Sequence, residues 1–233
     1  MATYVLVHGA WHGGWCWKRT TQLLRAKGHT VFEPTLPGVG ARAHEATAAI
    51  GLTSHVNDLI GLIEIEELEN VILVGHSYGG MVITGAAERI APKLSTLVYL
   101  DAFVPKDGES LTSILGPERA GQMAANAGDG WKVPAPPPSY FGVKAQGDID
   151  WITRCCTSQP LLTFMQPAQA KGEWQKVQRK VYIRAEGHPG PTFAPFGEMA
   201  KTTPGWDYHA VACGHEVMIE MPGELADILL KLA

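Results

Sequence analysis

Asn70-Val71-Ile72-Leu73-Val74-Gly75-His76-Ser77-Tyr78-Gly79-Gly80-Met81 is the stretch on which the reading of this chain turns. An apolar, β-branched run ends in Gly-His-Ser-Tyr-Gly, and an apolar, alanine-containing segment (81–91) follows. Gly75-x-Ser77-x-Gly79 between a strand and a helix is an elbow that presents a serine nucleophile. The reason is steric. A serine at so tight a turn takes a strained backbone, and its neighbours two residues away must be small. Gly75 and Gly79 meet that demand, and Gly80 adds room. The turn also sets the Tyr78 N–H at a helix N-terminus, where a developing anion is favoured. A glycine-rich turn with a chance serine looks the same locally, so the rest of the chain has to supply a base and a second oxyanion donor.

Outward from the elbow, the pattern is strand, helix, strand. Residues 4–7 form an apolar run, as a strand buried on both faces should. A Gly/His/Trp-rich loop (8–15) and a helix over about 17–26 follow. Residues 29–33 and 96–100 read as further strands, and a helix capped by Thr53 or Ser54 carries Val56, Leu59, Ile60, Leu62 and Ile63 at helical spacing. The acidic run 64–69 reads as a solvated face. This rhythm predicts an α/β fold, a mostly parallel central sheet with helices on both faces. Right-handed crossovers put all strand C-termini on one edge, so His8, Ser77 and Asp101 share it.

From 106 to 178 the period breaks down, and the segment reads as a cap inserted within a single 1–233 domain. Trp131, Tyr140, Phe141, Trp151, Leu161, Leu162, Phe164 and Met165 are its candidates to roof an apolar pocket, and about half of them are expected to pack the cap onto the body. His12 is a further pocket candidate from the first loop. Residues 177–184 and 206–211 return to strands, separated by a loop (185–196) with three prolines, and a helix over about 222–232 closes the chain.

The bulk numbers bound the rest. At 233 residues the chain makes one domain with a substantial core. A net charge of −4 gives no footprint for nucleic acid or an anionic membrane, and no apolar run reaches membrane-span length. With residues 4–7 already a strand, no room for a signal peptide is expected, and the cytoplasm is the simplest location. Cys16, Cys155, Cys156 and Cys213 lack zinc-type spacing and read as free thiols, with Cys213 a small residue on a pocket wall. A homodimer stays open.

A serine hydroxyl needs a base, and that base needs an orienting group. His215, in a turn after the last strand, is the best base among nine histidines. The oxyanion donors expected are the Tyr78 N–H and one from the first loop, Ala10 first and Trp11 next. For the acid, two strand ends offer a carboxylate, Asp101 and Glu186.

Three stretches together resemble the plant methylesterase and hydroxynitrile lyase branch of the α/β-hydrolases: residues 8–17 (HGAWHGGWCW), 74–81 (VGHSYGGM) and 214–218 (GHEVM). Bacterial pyrethroid-type carboxylesterases share the look of residues 99–105 (YLDAFVP). The resemblance implies an α/β-hydrolase fold and hydrolysis of small to medium carboxylic esters through an acyl-enzyme, with no metal and no organic cofactor. In that branch the catalytic aspartate follows the strand matching 181–185, and its place here falls on His188, which cannot be an anionic orienter. Other α/β-hydrolases carry the acid in a Tyr-x-(Asp/Glu)-Ala context, as Tyr99-Leu100-Asp101-Ala102 does, so Asp101 is favoured over Glu186. The lyases place a lysine after the catalytic histidine and a threonine after the first-loop histidine. Here Glu216 and Gly9 stand there, which removes the cation for departing cyanide and weighs against the lyase reaction. A non-catalytic binder of small aromatic ligands is the remaining alternative.

Overall fold

The computed structural model describes residues 1–188 and 190–233; Pro189, one of the prolines in the 185–196 loop, lies outside them. β1 (Thr3–Val7) leads through a 3-10 turn into α1 (Lys18–Ala26) and β2 (Thr30–Phe32). Then come α2 (Leu52–Ile65), β3 (Val71–His76), α3 (Gly79–Ile90) and β4 (Leu94–Leu100). Short pieces follow: α4 (Leu111–Leu115), α5 (Pro117–Ala125), β5 (Lys132–Val133), α6 (Gln146–Cys155), β6 (Gln159–Pro160) and α7 (Leu162–Met165). The chain finishes with β7 (Arg179–Ala185), α8 (Ala194–Thr202), β8 (Trp206–Val211), α9 (Val217–Glu220) and α10 (Pro222–Leu230).

Six strands make one parallel sheet in the order β2-β1-β3-β4-β7-β8, and β5 pairs antiparallel with β6. The two-residue side-chain period sorts the core onto its two faces. Val5, Val7, Leu73, Leu97, Tyr99 and Tyr182 pack with α2 and α3, whereas Tyr4, Leu6, Ile72, Val74, Val98 and Ile183 pack with α1 and α10. Both faces are covered, which is why these strands read as continuous apolar runs. From β1 the chain steps outward to β2, then crosses back to β3 on the other side of β1. The loops after β1 and β3 therefore part, and a crevice opens between them at the strand C-termini. The register pairs Val7 with Gly75 and His76 with Leu100, so the three loops leave the sheet at nearly one level.

The elbow needs its glycines for close approach. A Cβ on Gly75 would lie 2.7 Å from the Gly79 carbonyl oxygen, and one on Gly80 would lie 2.1 Å from the Phe103 carbonyl oxygen. Gly80→Ala must push α3 away from the 101–105 loop, and a loss of about 1–3 kcal/mol in urea unfolding is expected. A variant as stable as the wild type would show that this contact relaxes freely.

Two local expectations shift. α2 is capped by Gly51, not Thr53 or Ser54; Ser54 lies in the first turn, and its hydroxyl accepts the Gly51 N–H at 3.3 Å. The strand expected from 177 begins at Arg179, because Val177 closes a 3-10 turn (Glu173–Lys176) and is buried in the core.

Candidate active site

Ser77, Asp101 and Trp11 are non-glycine residues with positive φ, at +52°, +41° and +66°. Each lies in the loop that follows a strand of the central sheet, on the crevice edge. Such backbone persists only where the surroundings hold it. Here they do: Ser77 N–H donates to the Leu100 carbonyl (3.2 Å), Phe103 N–H to the Ser77 carbonyl (3.2 Å), and Asp101 N–H to the Ile183 carbonyl (2.7 Å).

Asp101 Oδ2 accepts a 2.7 Å hydrogen bond from His215 Nδ1. Its other oxygen accepts from Arg184 Nη1 and, at 3.2 Å, from the Ala185 N–H. Asp101 is fully buried, and burial pushes its carboxyl up to about 6, while Arg184 and the Ala185 N–H pull the other way. His215 is 3% exposed. Burial pushes its imidazole well below the usual range, and the charges of His188, His12 and Arg184 add to that, so the ring is neutral near pH 7. Its backbone N–H is tied to the Phe141 carbonyl at 2.8 Å, and the Phe193 and Phe141 rings lie nearly parallel to it at 4.8 and 6.0 Å. With Nδ1 held by Asp101, Nε2 is the ring nitrogen free to work. Glu186 stands elsewhere: it is exposed, and its Oε1 accepts from the Tyr208 hydroxyl at 3.2 Å.

The first loop is held by two histidines. His8 Nε2 accepts the Leu36 N–H (3.0 Å), which fixes the proton on Nδ1, and Nδ1 donates to the Gly9 carbonyl (2.7 Å). That carbonyl shares a peptide plane with the Ala10 N–H, so anchoring one end aims the other. Burial pushes His8 down to about 3, and it stays neutral in this role. His12 Nδ1 donates to the Ala10 carbonyl at 2.7 Å, and the N–H of that next peptide, Trp11, donates to Gln159 Oε1 at 3.0 Å. The Trp11 N–H is therefore engaged, and the expectation that it serves as an oxyanion donor falls to Ala10 alone. On the elbow side, the Tyr78 hydroxyl donates to His55 Nδ1 (2.9 Å), whose Nε2–H donates to the Pro37 carbonyl (2.9 Å).

Ala10, Ser77, Tyr78 and His215 open together on a cavity of about 400 Å³. Of the aromatic residues expected to line it, Tyr140, Phe141 and Phe164 do. The other candidates do not. His12 is buried, stacked on Trp15 with its edge to Phe141; its Nδ1 serves the first loop and its Nε2 faces Cys156 Sγ at 3.7 Å. Trp131 is half-buried with Lys132 Nζ over its ring at 4.9 Å, Trp151 packs on Trp15, Leu161 packs against the core, and Leu162 and Met165 are exposed. Cys213 is likewise no wall residue; it packs in the core beside Val211 and Val217. The residues that sequence reasoning missed include Phe103, Leu111, Met123, Arg119, His188 and Phe193. Phe103 lay in view within the 99–105 stretch, but the α5 residues carried no aromatic signal.

Next to His215 in the chain is Glu216, fully buried, with neither carboxyl oxygen hydrogen-bonded. Burial and then the Asp101 charge push it up to about 8, so it is protonated near pH 7. The ligating atoms of His76, His215 and Glu216 lie within 4.8 Å of one another. Each histidine keeps one ring nitrogen free, since the His76 Nε2–H donates to the His215 carbonyl (3.0 Å) and His215 Nδ1 is held by Asp101, but Glu216 favours its neutral form, which is a poor ligand for a cation.

Residues 4–228 match the family model described as "Alpha/beta hydrolase family". The chain is 46% identical over 242 residues, all of it and all of its relative, to a carbendazim hydrolyzing esterase of Nocardioides sp. (strain SG-4G). It is 35% identical to methyl jasmonate esterase 1 of Vitis vinifera over 48% of this chain and 43% of that one. An extracellular alpha/beta-hydrolase from a Paenibacillus species superposes with a TM-score of 0.87 at 21% identity, over 100% of this chain and 99% of that one, a likeness of fold.

Proposed function

The chain belongs to the alpha/beta hydrolase family and is a carboxylic ester hydrolase, and from that premise we propose that it works as a serine esterase through an acyl-enzyme. The observation that carries this reading is the buried Asp101–His215 pair opening on the same cavity as Ser77. Ser77 and His215 line one cavity, and Nε2 is the ring nitrogen that Asp101 leaves free. Oγ attacks the ester carbonyl carbon as Nε2 takes its proton, and Asp101 stabilises the imidazolium. The Ala10 and Tyr78 N–H groups receive the oxyanion, and each such donor typically contributes about 3–4 kcal/mol. His215 returns the proton to the departing alcohol. Water then attacks the acyl group with His215 as base again, releasing the acid and restoring Ser77.

The walls favour small to medium esters with an apolar or aromatic body. Carbendazim, a methyl carbamate on a flat benzimidazole ring, is the first substrate to try, since a relative of full-length similarity is named for it. Residues 106–178 act as the cap over the site in this reading, supported by α4, α5 and the 133–141 stretch lining the cavity. No helix among the described residues is long and apolar enough to cross a membrane. Residence in the cytoplasm is part of the proposal, supported by four cysteines that are free thiols.

A fluorophosphonate should add one adduct to the wild type, on Ser77, and none to Ser77→Ala. The variant's hydrolysis of p-nitrophenyl acetate should fall about 10⁵–10⁶-fold. Retained turnover in Ser77→Ala would refute the serine mechanism.

A further inference from the structure

The cavity wall opposite in character to its aromatic residues is one face of α5. Arg119, Gln122 and Asn126 recur at helical spacing, i, i+3 and i+7, and all three line the cavity. No aspartate or glutamate joins them in the lining among the described residues. Arg119 is half-buried, and its hydrogen bond runs to Thr192 Oγ1 at 3.3 Å, a neutral partner on the 191–193 turn. Two histidines share the lining, His188 and His215, and burial pushes both below their usual range. Arg119 therefore supplies the full positive charge of the cavity. A guanidinium is always protonated and presents a flat fork of donors that matches a carboxylate. Half-buried in a cavity that Phe103, Leu111 and Met123 also line, it is screened less than a fully exposed cation.

We infer that Arg119, with Gln122 and Asn126, forms a substrate subsite, and that the esters this enzyme prefers carry a hydrogen-bond acceptor, best of all a carboxylate, at the end remote from the scissile bond. The inference rests on the esterase reading and deepens it. A cavity of this size holds roughly one substituted ring, so the proposal puts the acceptor on a ring substituent other than the ester. Because the subsite neither moves a proton nor donates to the oxyanion in the proposed reaction, it acts on ground state and transition state alike. Its loss should then appear in KM and not in kcat.

The test compares methyl benzoate with the monomethyl ester of terephthalic acid. The wild type should favour the carboxylated ester in kcat/KM by about 10–100-fold, the range for a hydrogen bond to a charged group. Arg119→Met should remove that preference by raising KM for the carboxylated ester, with methyl benzoate changed less than about twofold. Arg119→Lys should restore part of it. Equal losses on both esters, or a wild type that treats them alike, would overturn the subsite. If the wild type hydrolyses neither ester, the esterase reading has failed on these probes, and the subsite is judged by calorimetry of terephthalate. Binding to Ser77→Ala that vanishes in Ser77→Ala/Arg119→Met supports it; equal affinity, or no binding to either, overturns it.

Discussion

Asp101→Asn should lower kcat about 10⁴-fold, whereas Glu186→Gln should leave it within about twofold. The asparagine keeps the shape and loses the charge. Its amide can present an N–H toward His215 Nδ1, which turns that nitrogen into the acceptor and moves the proton to Nε2. A protonated Nε2 cannot take the Ser77 proton. Arg184, 8% exposed and now bonded to Asp101, is left with no anion beside it. Glu186 offers the control, because its carboxylate is exposed and bonded to the Tyr208 hydroxyl. The measurement is kcat and KM on one chromogenic ester near pH 8, with circular dichroism to check folding. An Asp101→Asn enzyme within tenfold of wild type would remove Asp101 from the mechanism.

Glu216→Gln stabilises the protein at pH 9 and changes it little at pH 4. Glu216 is fully buried, with its carboxyl raised to about 8 against 4.5 for a free glutamate. Below about 4.5 the group is protonated in both folded and unfolded chains, and it costs no ionisation energy. Between these values the folded chain holds a proton that the unfolded one releases. Wild-type stability therefore falls as pH rises through this window, and the full loss is present above about 8. At about 1.4 kcal/mol per unit, the loss is several kcal/mol in order of magnitude. One neighbour can offset the charge: His12 Nε2 lies 3.4 Å from Oε2, and although burial opposes it, contacts with Cys156 and the Ala10 carbonyl raise the His12 imidazole above its usual range. Burial of Glu216 still outweighs this and leaves its carboxyl raised. His76 and His215 are held neutral by burial, and Asp101 opposes a second negative charge. The glutamine variant carries no such charge, so its melting temperature should exceed the wild type's by several degrees at pH 9 and match it near pH 4. Parallel melting curves across the whole range would show that Glu216 ionises in the fold without penalty.

Glu216 also shows the limit of reading charge from a sequence. Set beside the lyase pattern, it looks like an acid where a cation should be. In the fold it is fully buried, which favours its neutral form. A formal charge belongs to a residue type, but an ionisation state belongs to its surroundings.

The amino-acid sequence by itself determined the layered sheet, the elbow at Ser77 and the candidate base His215. Each is written in local chemistry: apolar runs at strand length, glycines where a Cβ would strike backbone, a histidine in the turn after the last strand. It also narrowed the acid to two strand ends. Which of them reaches His215 is decided only in the tertiary structure. β7 and β8 lie side by side, and the ends of β4 and β8 approach only across β7, so the distance from Asp101 to His215 is a property of strand order and not of spacing. The same holds for the first loop, where the Trp11 N–H is taken by Gln159, a residue 148 positions away. Pocket walls were the least legible part. His12 and Trp131 look like pocket residues by type, yet the cavity takes Arg119 and His188 instead. Lining a cavity needs only the right position on a packed element, and any side chain can hold it. Strands and tight turns are dictated by neighbours in the chain, whereas the acid's partner, the oxyanion donor and the pocket wall are set by contacts between segments that meet only when the chain folds.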